Sequence, residues 1–357
     1  MICAGLVGFG MAGRVFHAPL LSSVEGLELA AVMERSTNKA AERYPGITVY
    51  RSLEAMLADS SLGLFVVATP NATHYELAKQ ILSAGKNVVV DKPMTMTSAE
   101  AAELIGLAQK HNVLLAPFHN RRWDSDFLTI QKLLHEGALG RLVALESRFD
   151  RWRPARLTER LWKEDVDSGG MLQDLGPHLV DQPVALFGLP ESVNAEVLRE
   201  RDGAGPNDSF TIRLRYPNLS VTVASNLLSL PAGPRYRLRG TRGGYVKSGV
   251  DPQEAALTKV TRIENVAGGD AAWGQEPSSA WGLLYVDIEG GKVSRPVPAV
   301  TGDYRLYYAG IRDALLGKAP APVTGLNGWR VARLLEWAAE SSEKRREIAC
   351  DWSQEPE

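Results

Sequence analysis

Short apolar runs alternate with helix-like segments along the first third of the chain. Six of these runs have the length and composition of buried strands. Because parallel strands need long crossovers, usually helices, the alternation predicts a doubly wound parallel sheet. The predicted strands are Ile2 to Val7, Leu27 to Met33, Ile47 to Tyr50, Leu64 to Ala68, Asn87 to Val90 and Val113 to Ala116.

Serines mark two of the helix starts between these strands. Ser52 precedes the helical segment Leu53 to Ala58, and Ser98 precedes Ala99 to Lys110. A serine oxygen at such a position can accept a hydrogen bond from a free N–H group of the first turn. We therefore predict both serines as N-caps, with an alanine rather than an acid near the third position of the second helix.

The pattern changes after about residue 118, where strand candidates follow one another with few helices between them. From 190 to 250 this indicates a mostly antiparallel sheet. Residues 251 to 280 look irregular, and two helical segments, Tyr304 to Leu316 and Gly328 to Arg345, close the chain. The strand candidates are Val193 to Leu198, Ser209 to Tyr216, Ser220 to Asn226, Tyr236 to Arg239, Gly244 to Lys247 and Gly282 to Ile288.

The length of 357 residues favours two domains over one. We place the boundary where the pattern changes. The predicted fold is α/β, with a doubly wound parallel sheet over 1–118 and a second α/β domain over 119–357. The second domain is expected to carry a large, open, mostly antiparallel sheet.

Composition and charge exclude several classes of protein. A net charge of −2 offers no broad basic surface for nucleic acid, and no apolar stretch reaches the length of a membrane span. The two cysteines, Cys3 and Cys350, have no metal-ligand spacing, so we expect no metal site and a reducing compartment. The start M-I-C-A-G lacks the features of a signal peptide, and we expect a cytoplasmic protein.

Three glycines follow the first strand at the spacing G-x-G-x-x-G. Gly8 allows a tight turn, Gly10 leaves the backbone open to a pyrophosphate, and Gly13 lets the next helix pack close to the strand. Free N–H groups at the start of that helix can hold the phosphates. The motif predicts a dinucleotide site, and the alternative is an ordinary glycine-rich turn.

The end of the second predicted strand gives mixed signals about the nicotinamide cofactor. Glu34 lies 21 residues past Gly13, where a carboxylate can bond the ribose hydroxyls of NAD. Arg35, Ser36 and Lys39 follow it, and an arginine there can pair with the 2′-phosphate of NADP. Glu34 could instead pair with one of these cations, or touch no cofactor. We predict binding of both NAD and NADP, with a slight lean to NAD.

Ligands bind beyond the carboxyl ends of strands in sheets of this kind. That rule singles out the segments Thr69-Pro70-Asn71, Asp91-Lys92-Pro93 and Phe118-His119-Asn120. Lys92 directly follows a buried strand, and its ammonium group can donate to a substrate oxygen and favour a developing alkoxide. The alternative for this residue is a solvated surface lysine.

Two clusters of arginine and tryptophan lie beyond residue 118, at His119 to Trp123 and at Asp150 to Pro154. Guanidinium groups can bond hydroxyls and aromatic faces can cover C–H surfaces, so the pair of clusters predicts polyol recognition. Exposed loops with scattered charges are the alternative. Nucleic acid can also use these residue types, but the balanced net charge argues against it.

A second chemical stretch runs from Ser168 to Asp181. If it is helical, Asp174 and His178 lie on one face, where a carboxylate can support an imidazole that moves an alcohol proton. Pro177 weakens the helical interpretation, although a first turn can accommodate it. The alternative is a histidine buried in the core near a helix start.

Four motifs in this order resemble the glucose–fructose oxidoreductase/inositol dehydrogenase family, often written Gfo/Idh/MocA. They are G-F-G-M-A-G at 8–13, A-T-P-N-A-T-H at 68–74, D-K-P at 91–93 and G-G-M-L-Q-D-L-G-P-H at 169–178. Three further motifs look like the subgroup that contains NADP-linked scyllo-inositol dehydrogenases. These are F-H-A-P-L-L at 16–21, N-R-R-W-D-S-D-F at 120–127 and R-F-D-R-W-R-P at 148–154. Asp91 departs from the family, where glutamate is usual, so the contact of its shorter carboxylate is open.

The resemblance implies a Rossmann domain followed by an α/β domain whose open sheet makes a homo-oligomer, a dimer or a tetramer. It also implies a cofactor site formed by the dinucleotide loop, the end of the second strand and two strand-end loops. Asn71 and His74 would border the nicotinamide. The implied cofactor residues are Gly8, Phe9, Gly10, Met11, Ala12, Gly13, Glu34, Arg35, Ser36, Thr69, Pro70, Asn71, His74, Asp91, Lys92 and Pro93.

The implied reaction is hydride transfer between NAD or NADP and a ring carbon of a sugar or cyclitol. His178 would be the general acid/base, Asp174 its orienting partner, and Lys92 the group that polarises the substrate oxygen. Arg122, Trp152 and Trp162 are further candidates for substrate contact. Two alternatives remain open on this fold: an NAD-dependent glycosidase and a non-catalytic dinucleotide sensor.

Overall fold

The computed structural model describes residues 1–156, 168–203, 205–259, 273–288 and 291–356, which contain two sheets. In this part of the chain the first sheet is parallel and has six strands. The strands are β1 (Ile2–Val7), β2 (Leu27–Met33), β3 (Thr48–Tyr50), β4 (Leu62–Val67), β5 (Asn87–Val90) and β6 (Leu115–Pro117).

The strand order β3-β2-β1-β4-β5-β6 reverses direction between β1 and β4. The last residue of β1, Val7, pairs with Met33 of β2 and with Val67 of β4, so the carboxyl ends of these strands lie side by side. In open α/β sheets a ligand crevice forms outside such ends, where the order reverses. The predicted doubly wound parallel sheet is confirmed. The segments that follow β1, β4, β5 and β6 lie at the carboxyl ends of the strands and therefore border this crevice.

Helices cover both faces of this sheet, because its central strands are apolar on both sides. The last four residues of β1 and of β4 are buried without alternation, as expected for a strand between two helical layers. The helices are α1 (Ala18–Ser23), α2 (Lys39–Arg43), α3 (Leu53–Leu57), α4 (His74–Ser83) and α5 (Ser98–His111).

The two predicted N-caps have different outcomes. Ser52 accepts a hydrogen bond from the N–H of Ala55 and caps α3, as predicted. The prediction for α5 was wrong, because Thr97 is the N-cap and Glu100 completes a capping box with it. Ser98 is free to bond elsewhere: its N–H and hydroxyl both donate to the carboxylate of Glu336, at 2.7 Å each.

The second sheet has nine strands within the described residues, in the order β14-β13-β12-β11-β7-β10-β9-β8-β15. Neighbouring strands are antiparallel except for the pair β7 and β10, so the prediction of a mostly antiparallel sheet is confirmed. The strands are β7 (Leu142–Arg148), β8 (Ser192–Leu198), β9 (Ser209–Tyr216), β10 (Leu219–Asn226), β11 (Tyr236–Gly240), β12 (Gly243–Lys247), β13 (Gly282–Ile288), β14 (Gly291–Val297) and β15 (Ile348–Ala349).

One face of this sheet is covered by helices. Alternation along β9 shows the two faces, since Ile212 and Leu214 are buried while Arg213 and Arg215 are exposed. The covering helices are α6 (Ser125–His135), α7 (Gly170–Phe187) and the chain's last long helix. No helix in the described part of the chain is long and apolar enough to span a membrane.

Three elements were missed or misjudged from the sequence. A helix, α8 (Gln253–Lys259), lies in the region expected to be irregular, and the carboxylate of Asp251 accepts from the N–H of Gln253 at its start. β14 was not predicted, because its residues are exposed and carry charges within a regular strand. β15 has only two residues and forms through its pairing with β8.

The last two helices pack on the first sheet although they are distant in sequence. They are α9 (Arg305–Leu315) and α10 (Gly325–Lys344). Tyr307 and Tyr308 of α9 are fully buried in the same core cluster as Leu6 of β1. α10 contacts α5 of the parallel-sheet region as well as α7 and β8. The C-terminal helices therefore join the two sheets into one packed unit.

The contact between Ser98 and Glu336 predicts how much the packing of α10 against α5 contributes to stability. Replacing Glu336 with alanine removes two acceptors from Ser98, so we expect the free energy of unfolding to fall by about 1–3 kcal/mol in urea titration. Glu340→Ala on the same helix is the matched control, because its pairing with Lys344 is solvent-exposed and we expect about 0.5 kcal/mol or less. Equal losses in the two variants would contradict a specific role for Glu336.

Candidate active site

The loop after β1 has the geometry that a pyrophosphate requires. Gly8 has φ = +99°, a conformation that favours glycine, and a Cβ on Gly13 would lie 2.2 Å from the carbonyl oxygen of Gly8. A Cβ on Gly10 would meet no atom within 4 Å. The space above Gly10 is therefore open to a ligand, while Gly13 is required for close packing inside the loop, and these residues fit a bound dinucleotide.

The segment after the loop is helical, as predicted, but its first part is not an α-helix. A π-helical turn, Gly13–His17, precedes α1. His17 in this turn is fully buried, with Nδ1 2.6 Å from the hydroxyl of Tyr308 and Nε2 3.7 Å from Oδ1 of Asp91. The turn thus brings a side chain of the dinucleotide loop close to the strand-end segment that carries Lys92.

Glu34 directly follows β2, and its carboxylate is turned inward. Its oxygens accept from the hydroxyl of Thr37 and, at 2.8 Å, from the N–H of Ala40 in the first turn of α2. The side chain is buried, whereas Arg35, Ser36 and Lys39 are exposed. The carboxylate therefore caps a helix here instead of pairing with the neighbouring cations.

The two strand-end loops after β4 and β5 are joined by His74. Its imidazole lies between the carbonyl oxygens of Pro93 and Thr69, at 2.7 and 2.9 Å, and the residue is fully buried. Asn71 begins a short 3₁₀ turn next to it and is half-buried. The ring of His74 thus fixes the positions of these loops at the crevice.

Lys92 and Asp174 meet where the two sheets adjoin. Lys92 follows β5 and is linked to Pro93 by a cis peptide bond, and its Nζ donates to Oδ1 of Asp174 at 2.9 Å. It also donates to the backbone carbonyl of Asp174. Asp174 therefore holds Lys92, whereas the resemblance implied that it would orient His178. The two side chains are about one-fifth and one-quarter exposed, at 19% and 26%, so the pair borders the open crevice.

His178 lies one turn beyond Asp174 on α7, which places the three residues together. Pro177 stands well inside this helix, and not in its first turn as the sequence suggested. Burial lowers the pKa of His178 well below its usual value, and the nearby charges of Lys92 and Arg121 act in the same direction. The imidazole is therefore neutral at physiological pH. Its Nδ1 is buried without a hydrogen-bond partner among the described residues.

The carboxylate of Asp91 contacts its own backbone and the dinucleotide loop. Oδ1 accepts from the N–H of Lys92 at 2.8 Å and faces His17. Burial alone would raise the pKa of Asp91, but His17 and the charge of Lys92 hold it below its usual value. This short carboxylate thus remains an anion beside Lys92.

The predicted substrate residues have different surroundings. Arg122 is held by Asp181, whose two carboxylate oxygens accept from Nε and Nη2 at 2.8 and 2.6 Å. Trp152 is 54% exposed and forms an isolated bridge with Leu228. Trp162 lies outside the described residues. The guanidinium group of Arg122 is therefore part of a buried ion pair behind the site.

A cavity missed by the sequence reasoning lies beside Lys92, Asp174 and His178. Its volume is about 240 Å³, and the Arg121 and Arg151 of the two predicted clusters line it. Arg148, Arg235 and Glu254 line it as well. The two arginine–tryptophan clusters were the sequence signal for this cavity. Arg235 and Glu254 could not be assigned to its wall from the sequence, because they reach it only through the folding of distant strands and of α8.

Two family models match this chain. The model described as "Oxidoreductase family, NAD-binding Rossmann fold" matches residues 2–119, and the "GFO/IDH/MocA C-terminal domain" matches residues 127–246. The chain belongs to the Gfo/Idh/MocA oxidoreductase family. The resemblance in its sequence motifs is thereby confirmed, together with a Rossmann domain that binds NAD or NADP.

Several proteins are similar to this chain along nearly its whole length. It is 41% identical to an uncharacterized oxidoreductase, YdgJ, of Escherichia coli K12, covering 96% of this chain and 97% of that protein. It is 36% identical to IolW of Bacillus subtilis, a scyllo-inositol 2-dehydrogenase (NADP(+)), covering 97% and 95%. The solved structure of the oxidoreductase YPO2259 from Yersinia pestis superposes with a TM-score of 0.91, at 41% identity, over 98% and 97% of the two chains.

The contrast between Gly10 and Gly13 gives a prediction for the dinucleotide loop. Gly10→Ala fills space that the protein leaves open, so we expect unchanged stability and a dissociation constant for NAD and NADP raised roughly tenfold or more. Gly13→Ala collides with the Gly8 carbonyl, so we expect a loss of about 1–3 kcal/mol in the free energy of unfolding. Cofactor titration and urea unfolding measure both. Normal cofactor affinity in Gly10→Ala would show that the pyrophosphate does not cross this residue.

Proposed function

We propose that this oxidoreductase transfers a hydride between NAD or NADP and a ring carbon of a sugar or cyclitol. The observation that carries the proposal is the group of Lys92, Asp174 and His178 at the carboxyl end of β5, next to the strand where the order of the Rossmann sheet reverses. The intact group favours an enzyme over a non-catalytic dinucleotide sensor. The similarity to a scyllo-inositol 2-dehydrogenase supports a polyol as the substrate.

In the oxidation direction, His178 takes the proton of the reacting hydroxyl and Lys92 stabilises the charge that develops on its oxygen. The bound nicotinamide supplies the hydride acceptor. Because Nδ1 of His178 is buried, Nε2 is the nitrogen that reaches the substrate. Asp174 holds the ammonium group of Lys92 in place through its carboxylate and its backbone carbonyl. In the reduction direction, the protonated His178 donates to the forming alcohol.

We propose that both cofactors bind, since the carboxylate of Glu34 serves α2 while two cations face outward next to it. We also propose an assembly of two or more copies through the open sheet of the second domain. Leu283 and Tyr285 on β13 are large apolar residues on the face opposite the buried Leu284, each at least 40% exposed, which supports this surface. Cys3 and Cys350 are free cysteines, which supports a reducing, cytoplasmic location.

Mutation of the catalytic group tests the proposed reaction. We expect His178→Ala and Lys92→Met each to lower turnover on the order of 10²-fold or more, because each removes a group that acts on the reacting oxygen. Cofactor affinity should change little in either variant. A screen of cyclitols and aldoses that follows reduced-nicotinamide absorbance, with cofactor titrations in parallel, measures both. Unchanged turnover in the two variants would refute the proposed roles.

The pH dependence of the reaction follows from the lowered pKa of His178. A lowered pKa favours the neutral imidazole, so kcat/KM for oxidation should rise only at acid pH and be level above about pH 6.5. For reduction, which needs the protonated imidazole, the rate should fall as pH rises through the same lowered value. Initial rates in both directions from pH 4.5 to 9 measure this. A change in rate centred above pH 6.5, in either direction of the reaction, would contradict the role of His178 as the acid/base.

A further inference from the structure

The cavity beside the catalytic group is lined by four arginines. Its volume is about 240 Å³, and Ala232, Gly233 and Gly249 leave space on one side of it. The lining carboxylates are Asp150 and Glu254. The arginines are Arg121, Arg148, Arg151 and Arg235.

Residues of the cavity wall lie close enough to the proposed catalytic residues to interact with their charges: Arg121 with His178, Arg151 with Asp174 and Glu254 with Lys92. Gln182, four residues further along α7, donates from its side-chain amide to the backbone carbonyl of Arg121 at 2.9 Å. The side-chain oxygen of Gln182 accepts from Arg235 at 3.0 Å. Because the cavity wall interacts with all three proposed catalytic residues and is tied to α7 through Gln182, we expect a ring held at His178 to carry a substituent towards this cavity.

Three of the four guanidinium groups have a carboxylate nearby. Arg121 donates to Glu254 at 2.6 Å, and Arg148 donates to Asp150 at 2.7 Å. Arg235 lies 3.5 Å from Asp126. The charges of these arginines are therefore balanced within the protein, and the two lining carboxylates already face an arginine.

Arg151 differs from the other three. Its backbone is fixed, since its N–H donates to Asn226 at 2.9 Å and its carbonyl accepts from Ser229 at 3.0 Å. Its half-buried guanidinium makes no hydrogen bond or ion pair with the described residues. Burial lowers the pKa of Arg151, and Asp174 and Glu254 oppose this effect. A partly desolvated cation without a partner is costly, which indicates a partner supplied by a ligand.

We propose that this cavity binds an anionic group, a carboxylate or a phosphate ester, carried by the polyol substrate, and that Arg151 donates to it. The inference rests on the proposed function, because the anion is attached to the ring that reacts at His178. The planar guanidinium matches the two oxygens of either anion. Oδ1 of Asp150, buried without a partner in the described structure, can accept from a neighbouring hydroxyl of the same substrate.

Paired ligands that differ in one anionic group test the proposal. D-Glucuronate is compared with D-glucose, and myo-inositol 1-phosphate with myo-inositol, so that carboxylate and phosphate are examined separately. Dissociation constants are measured by calorimetry on the full chain saturated with the reduced cofactor, which prevents turnover of these alcohols. The variants are Arg151→Gln, Arg151→Lys and, as a matched control, the neighbouring Arg153→Gln, which does not line the cavity.

We expect the anionic member of at least one pair to bind the wild-type protein about tenfold or more tightly than its neutral partner. Arg151→Gln should abolish this preference and leave neutral binding unchanged. Arg151→Lys should keep part of the preference, and Arg153→Gln should keep all of it. No preference in either pair, or an equal loss of charged and neutral binding in Arg151→Gln, would overturn the proposal.

A parallel hydride-transfer assay with oxidised cofactor separates this proposal from the proposed function. If neutral polyols are oxidised and no anion is preferred, the proposed function holds and the anion site is refuted. If an Arg151-dependent preference is found but no polyol in the screen is oxidised, the anion site holds and the proposed function fails.

Discussion

The ion pair between Lys92 and Asp174 is the contact on which the site depends. It joins the end of a strand in the Rossmann sheet to a helix that packs on the second sheet. Because the pair is partly removed from water, the attraction is stronger than in an exposed pair, and the position of the ammonium is well defined. His178 lies one turn from Asp174 on the same helix, so the same contact sets the distance between His178 and Lys92.

Packing around this ion pair restricts movement of the segments that carry Lys92 and Asp174. α9 and α10 return from the end of the chain to complete the core of the parallel-sheet region. Tyr308 of α9 contacts His17 in the dinucleotide loop, and His17 faces Asp91 next to Lys92. The dinucleotide loop, the segment that carries Lys92 and the C-terminal helices are therefore connected through buried polar contacts. Such contacts resist rearrangement because an unpaired buried group is costly.

The sequence predicted what local patterns encode. Apolar runs and glycine spacing gave the Rossmann strands within a few residues, and family motifs brought Lys92, Asp174 and His178 to one place. Contacts between distant segments were not predictable in this way. Glu34 caps a helix, Ser98 bonds a carboxylate far along the chain, and Pro177 sits inside a helix that tertiary packing maintains. The arginine cavity was missed for the same reason, since several segments build it.

The transfer of a labelled hydride tests the central claim most directly. Cyclitols and aldoses that carry deuterium on their ring carbons are incubated with the protein and NAD or NADP, and the recovered nicotinamide is examined by mass spectrometry. The account predicts one deuterium on the reduced cofactor for each substrate oxidised, with the transfer lost in His178→Ala and Lys92→Met. Cleavage of a glycoside without net reduced cofactor, or no deuterium transfer from any polyol in the panel, would contradict it.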